Sequence, residues 1–242
     1  MRKFGSLNAQ DAFKDGNAPW VVVFHGYGAD AFDLFPLNEM IPAQYPLNWI
    51  FPQGPLEVPI GPGWTGRAWW NINIEQIQKD TAQGVDRDLS LESSPQAVAS
   101  RQKVLAAIET LKVPWNQIIL GGFSQGAMLA VDIYLHAPQS PMGLFAWSSA
   151  LVNKGDWKER IKSEEFQNRL KQNPHPTYFQ SHGTSDTVLS LKNGQRLDSF
   201  LQSAGMKGKM ITFSGGHEIP PQVILGTADY IKSLLSTASQ TV

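Results

Sequence analysis

Apolar residues along this chain gather in short unbroken runs separated by longer amphipathic stretches, and that alternation predicts the fold. Trp20-Val21-Val22-Val23-Phe24 is a continuous apolar, β-branched run, the pattern of a strand covered on both faces. Trp49-Ile50-Phe51-Pro52, Ile118-Ile119-Leu120, the run from Gly143 to Ser148, Thr177-Tyr178-Phe179-Gln180 and Lys209–Phe213 repeat it. Between them lie helical patterns. Ser94-Pro95 opens one whose apolar stripe is Val98, Val104, Leu105, Ile108 and Leu111, and Pro114 ends it. Gln125 to Leu135 carries another, residues 191–203 a third, and Pro221 to Leu235 a closing one with proline in its first turn. Residues 156–172 read as one charged surface helix anchored by Trp157, Ile161, Phe166 and Leu170. Residues 30–42 read as a helix interrupted at Pro36 and stopped at Pro42.

Strands alternating with helices predict an α/β fold, a mostly parallel sheet with helices on both faces. No internal repeat and no linker divides the chain, so residues 1–242 are expected to form a single domain. Residues 52–68 are rich in Pro and Gly and are expected to lack regular structure. A loop of that length is usually functional or disordered, and Trp64, Trp69 and Trp70 argue against disorder. Those tryptophans either cap the core or line a substrate pocket.

Composition narrows the function classes. A net charge of −1 gives no electrostatic reason to bind nucleic acid, and no zinc-finger spacing or basic–aromatic repeat is present. The absence of cysteine removes disulfides, thiolate metal sites and a cysteine nucleophile together. No H-E-x-x-H or clustered His/Asp set points to a metal. MRKFGSLNAQDAFKDG lacks the apolar core of a secretory signal. The uncharged stretches Val113–Val131 and Ile133–Asn153 are broken by Pro, Gly, Ser, Asn or Gln, so no stable membrane insertion is expected. The expectation is a cytoplasmic protein.

The chemistry concentrates at predicted strand ends. Gly122-Phe123-Ser124-Gln125-Gly126 is a G-x-S-x-G placed where a strand turns into a helix, a turn that pushes a serine hydroxyl out at the carboxyl edge of a sheet. The motif alone is common by chance. In an open α/β sheet, however, ligand sites form beyond the carboxyl ends of the strands, and those ends here deliver His25-Gly26, Ser124, Asp186 and His217. The order Ser…Asp…His is that of an α/β-hydrolase triad. Ser124 needs a base to attack a carbonyl, His217 can accept its proton, and Asp186 can orient the imidazole. The backbone N–H groups of Tyr27 and Gln125 are the candidate oxyanion donors.

Taken together, His25-Gly26-x-Gly28, Gly122-Phe123-Ser124-Gln125-Gly126, His182-Gly183-x-x-Asp186 and Gly216-His217 resemble the acyl-protein thioesterase/carboxylesterase family of α/β-hydrolases, over about residues 19–235. The resemblance implies an essentially lidless, cofactor-free hydrolase of esters or thioesters, acting on small molecules, lysophospholipids or acylated proteins. It carries over Ser124, Asp186 and His217 as the triad and Tyr27 and Gln125 as the oxyanion hole. Trp69-Trp70 fall where the family often has an aromatic pair, and a weak homodimer is a further implication. Ala29 intervenes before Asp30 where the family often has Asp, Ser190 stands where proline is common, and Ala127 replaces a frequent second glycine. The longer 150–175 segment, like residues 52–70, could cover the site.

Alternatives are specific. Asp156 follows an earlier strand and rivals Asp186, whereas Asp198 and Asp229 fall inside predicted helices. His25 and His182 are expected to orient loops, and His136 and His175 to lie on the surface. Gly26-x-Gly28-x-x-Ala31 fits a dinucleotide-binding signature, but no acidic residue follows at the expected spacing and Pro36 breaks the helix it needs. The other rival is a hydrolase fold that only binds.

Overall fold

Each predicted strand takes its place in one sheet, joined by two strands that the apolar pattern does not announce. The computed structural model describes residues 1–42, 46–173 and 176–239. In chain order the strands are β1 (Arg2–Phe4), β2 (Leu7–Ala12), β3 (Trp20–Phe24), β4 (Asn48–Pro52), β5 (Leu56–Gly61), β6 (Trp64–Ala68), β7 (Ile118–Phe123), β8 (Gly143–Trp147), β9 (Thr177–Gly183) and β10 (Lys207–Phe213). The helices are α1 (Leu37–Met40), α2 (Ile74–Ala82), α3 (Pro95–Glu109), α4 (Gln125–His136), α5 (Lys154–Lys162), α6 (Glu164–Gln172), α7 (Leu191–Ser203) and α8 (Pro221–Ser239). The main sheet runs β1-β2-β4-β3-β7-β8-β9-β10. β1 and β2 pair antiparallel and β2 joins β4 antiparallel. From β4 to β10 every pairing is parallel.

Parallel strands in the middle of such a sheet are apolar on both faces because both faces are covered. In β3, Trp20, Val22 and Phe24 pack into one core while Val21 and Val23 enter the other. The same division separates Leu144 and Ala146 from Phe145 and Trp147 in β8. Helices α3 to α7 supply the first core, through Val104, Leu129, Trp157, Phe166 and Leu197 among others. Helix α8, with Val223 and Ile231, and Leu37 of α1 supply the second. Helix α4 is buried from Gln125 to Leu135, so it has no solvent face to mark with polar residues. Its last carbonyls are met by buried Arg169, which donates to the carbonyls of Tyr134, Leu135 and Ala137. This answers the unpaired acceptors that a helix end leaves.

Three expectations need correction. Residues 52–68 do hold regular structure, since β5 and β6 form a separate antiparallel hairpin whose tip carries the glycines. Residues 30–42 form mostly turns and only the single helical turn α1, because Pro36 cannot donate inside a helix. The 156–172 stretch is two helices, broken at Ser163, whose side chain caps α6 by accepting the Phe166 N–H. The N-terminal hairpin β1–β2 and helix α2 were not foreseen. The expected helix at Ser94-Pro95 is present, with Ser94 accepting the Gln96 N–H as its cap.

Candidate active site

The strand–helix turn at residues 122–126 depends on two close approaches. A Cβ on Gly122 would lie 2.5 Å from the carbonyl carbon of Gly126, and one on Gly126 would strike the Phe24 and His25 carbonyls at the end of β3. Only glycine lets α4 start so near the strands that flank it. Ser124 between them takes φ 55° and ψ −121°, a backbone state rare for a residue with a Cβ. Its N–H donates to the Trp147 carbonyl at 2.9 Å, which continues the β7–β8 pairing through the turn.

Strands β9 and β10 pair in parallel through Gly183 and Phe213, so the loops leaving them run side by side. Thr184 and Ser185 donate to the carbonyls of Phe213 and Gly215 and bind the two loops together. His217 Nδ1 thereby donates to Asp186 Oδ2 at 2.7 Å, leaving Nε2 as the lone-pair nitrogen. The other carboxylate oxygen accepts the N–H groups of Val188 and Leu189, both at 2.8 Å. Burial pushes the Asp186 carboxyl up, but the His217 hydrogen bond and charge, with the Leu189 N–H, hold it below the usual carboxylate range. The His217 ring packs on Phe123, with centroids 4.7 Å apart, which brings it beside the serine turn. Ser124 Oγ makes no hydrogen bond among the described residues, and such bonds commonly tighten only when substrate is present.

The β3 end lies against the same turn. A Cβ on Gly26 would sit 3.5 Å from that of Ser124, so Tyr27 follows directly beside the serine. Gly28 and Ala29 donate their N–H groups to Arg67 and Gly26 carbonyls, whereas the Tyr27 N–H meets no acceptor among the described residues. The Gln125 N–H opens the first turn of α4, where backbone donors are unpaired and the helix dipole is positive. His25 orients this loop, as expected. Its Nε2 accepts the Gly54 N–H at 2.9 Å, so Nδ1 carries the proton and donates to the Gly26 carbonyl at 2.7 Å. Burial pushes its pKa down to about 4, and it stays neutral.

A pocket of about 150 Å³ opens at Ser124. Trp70, Ile77, Leu89, Met128, Val152 and Leu189 give it an apolar lining, with Arg87, Glu92 and Asn153 among its polar groups. The three tryptophans separate here. Trp70 lines the pocket. Trp69 is fully buried behind it, donating Nε1 to the His25 carbonyl at 2.9 Å. Trp64 is 73% exposed at the start of β6, far from a pocket-lining role. Of the segments expected to cover the site, 150–175 contributes Val152 and Asn153, and 52–70 contributes Trp70. The larger share comes from residues 71–97, which sequence reasoning passed over. Their only signal was Ser94-Pro95.

His182 is fully buried, donating Nε2 to the Leu189 carbonyl at 2.9 Å and lying 3.5 Å from Asp186 Oδ2. It braces the acid's loop. Asp156 lies elsewhere, paired with Arg101 at 2.8 Å, and Asp198 accepts from Tyr178 Oη at 2.6 Å. Asp229 is exposed on α8. His136 is half-buried rather than a surface residue, and His175 lies outside the described residues. The fold also makes a His/Asp cluster that the sequence did not reveal, from Asp132, His136 and Asp156. Its centre is already cationic, because Arg101 Nη1 bonds Asp132 at 2.9 Å as well as Asp156. The Gly26-x-Gly28 loop runs into turns rather than into a helix of its own, which the dinucleotide signature requires.

A mostly parallel sheet covered on both faces, with a serine turn, an acid and a histidine at its carboxyl edge, defines an α/β-hydrolase. A family model described as phospholipase/carboxylesterase matches residues 12–235. The chain belongs to that family, and it is a hydrolase. Acyl-protein thioesterase 1 of Cryptococcus neoformans var. neoformans is 27% identical over 201 residues, covering 80% of this chain and 77% of the relative. Among solved structures, esterase PE8 superposes with a TM-score of 0.76 at 22% identity, covering 94% of this chain and 99% of the other. Acyl-protein thioesterase 2 of Zea mays superposes at 0.71, also at 22% identity, with the same coverage. No helix among the described residues is long and apolar enough to cross a membrane.

Proposed function

We propose that this protein, acting as one domain and without a cofactor, hydrolyses carboxylic esters or thioesters through an acyl-enzyme on Ser124. Ser124 Oγ attacks the carbonyl carbon while His217 Nε2 takes its proton. The oxyanion is received by the N–H groups of Tyr27 and Gln125, each worth about 3–4 kcal/mol at the transition state. Collapse breaks the bond to the alcohol or thiol, which leaves with the proton from His217. Water then adds to the acyl-serine with His217 again as base, releasing the acid and restoring Ser124. Asp186 fixes the Nδ1–H tautomer and balances the imidazolium.

The observation that carries this reading is the 2.7 Å bond from His217 to buried Asp186, with the His217 ring against the residue preceding a strained serine. The apolar pocket supports an acyl chain as the part of the substrate held there. The relatives named acyl-protein thioesterase support acylated proteins as one substrate class. The test is hydrolysis of p-nitrophenyl esters from acetyl to palmitoyl, followed by acyl thioesters and lysophospholipids, with Ser124→Ala alongside. Turnover that disappears in Ser124→Ala is expected. Failure on all three substrate classes would leave a hydrolase fold that only binds.

A further inference from the structure

The side chain of Gln125 does something that neither its backbone N–H nor the serine beside it requires. It is fully buried inside the molecule. Its Oε1 accepts the Trp69 N–H at 3.0 Å, and its Nε2 donates to the Trp70 carbonyl at 2.7 Å. One amide thus pairs with the backbone of two consecutive residues more than fifty positions away. Those residues need it, since β6 ends at Ala68 and Trp69-Trp70 have no strand partner among the described residues. The rest of their support is also side-chain work. Ser100 Oγ of α3 donates to the Trp69 carbonyl, and the Trp69 indole reaches the His25 carbonyl.

A buried amide with both ends satisfied is costly to disturb, because replacing it leaves a backbone donor and a backbone acceptor unpaired in a low-dielectric interior. Trp70 lines the pocket that opens at Ser124. Its position relative to Ser124 is therefore set by the residue that immediately follows Ser124. We propose that the Gln125 side chain is a positioning residue for acyl-chain selection, tying the pocket wall at Trp70 to the serine turn. The proposal rests on the esterase reading for its consequence but not for the contact itself. Loosening this tie moves the wall that a longer chain must pack against, whereas an acetyl group reaches it least.

Gln125→Met keeps about the length and volume of the side chain and the backbone N–H, and removes both side-chain hydrogen bonds. The decisive readout is the ratio of kcat/KM for p-nitrophenyl octanoate to that for p-nitrophenyl acetate. Both values fall, but the ratio is expected to drop at least tenfold, mainly through KM for the octanoate. Ser100→Ala, which loosens the same segment from the other side, should move the ratio the same way by a smaller factor. Equal losses on both esters would overturn the proposal and leave Gln125 as a support of the turn alone. Amide hydrogen exchange separates this from failure of the esterase reading. The Trp69 N–H, buried and bonded to Gln125 Oε1, should exchange at least tenfold faster in Gln125→Met than in the wild type while the β7 amides stay protected. An unchanged Trp69 amide would overturn the proposal even in a protein that hydrolyses no ester.

Discussion

Replacing Ser124 by glycine should destroy turnover and at the same time make the protein more stable. At φ 55° and ψ −121° the serine occupies a state that its Cβ makes unfavourable by about 1–3 kcal/mol. Glycine is not penalised there, but it frees the unfolded chain by about 0.5–1 kcal/mol. The side chain makes no hydrogen bond among the described residues, so little else is lost. The balance favours the variant by about 1 kcal/mol, or about 2–4 °C in Tm for a chain of this size. Ser124→Ala is the control, because it keeps the Cβ and hence the strain. Scanning calorimetry of the three proteins should place alanine within about 1 °C of wild type and glycine above both. Ester turnover should fall by about 10⁶ in each variant. A glycine variant that melts at or below the wild-type temperature would refute the strain argument, whatever its activity.

Other consequences are equally open to measurement. Asp186→Asn should lower kcat by about 10³–10⁴ through loss of the correct histidine tautomer, while Asp156→Asn, which touches only the Arg101 cluster, should not; the reverse result would reassign the acid. Gly126→Ala should cost about 3 kcal/mol or more in urea titrations, since its Cβ meets the Phe24 carbonyl. Gly155→Ala, in α5 with open space around it, should instead gain up to about 1 kcal/mol. His25 binds its proton near 6.5 when unfolded but only at about 4 when folded, so the unfolded state is favoured as pH falls through that window. Stability should drop by about 3 kcal/mol between pH 6.5 and 4. The lowered Asp186 adds a further loss only once pH falls below the ordinary carboxylate range and through its folded value. Urea midpoints that stay flat from pH 7 to 4 would contradict the buried neutral His25.

The strand ends were legible because buried parallel strands are apolar without interruption, and Trp20–Phe24 or Ile118–Leu120 can hardly be anything else. Once those ends are known, Ser124, Asp186 and His217 fall at one edge of the sheet. What escaped was structure made by backbone pairing rather than by apolar pattern. β1 and β2 lie at the sheet's edge, where Arg2, Lys3 and Asn8 face solvent and leave too few buried positions to read. The β5–β6 hairpin hides among Pro and Gly because its strands contribute little beyond Val58 and Ala68 to the buried interior. At Ser163 the anchors are helically spaced only on each side of the break, Trp157 with Ile161 and Phe166 with Leu170, and the five-residue step from Ile161 to Phe166 was the signal that one helix does not run through. The roles of Trp69 and of the Gln125 side chain were illegible for another reason. Each depends on a contact between positions about fifty residues apart, which no local pattern records.

The central claim is that Ser124 is the covalent nucleophile, and reaction with a fluorophosphonate tests it most directly. Intact-mass measurement followed by peptide mapping should find one adduct per chain, on Ser124. That adduct should be absent from Ser124→Ala and form far more slowly in His217→Ala. An adduct on another residue, or ester turnover that persists in a protein whose Ser124 stays unmodified, would contradict the account.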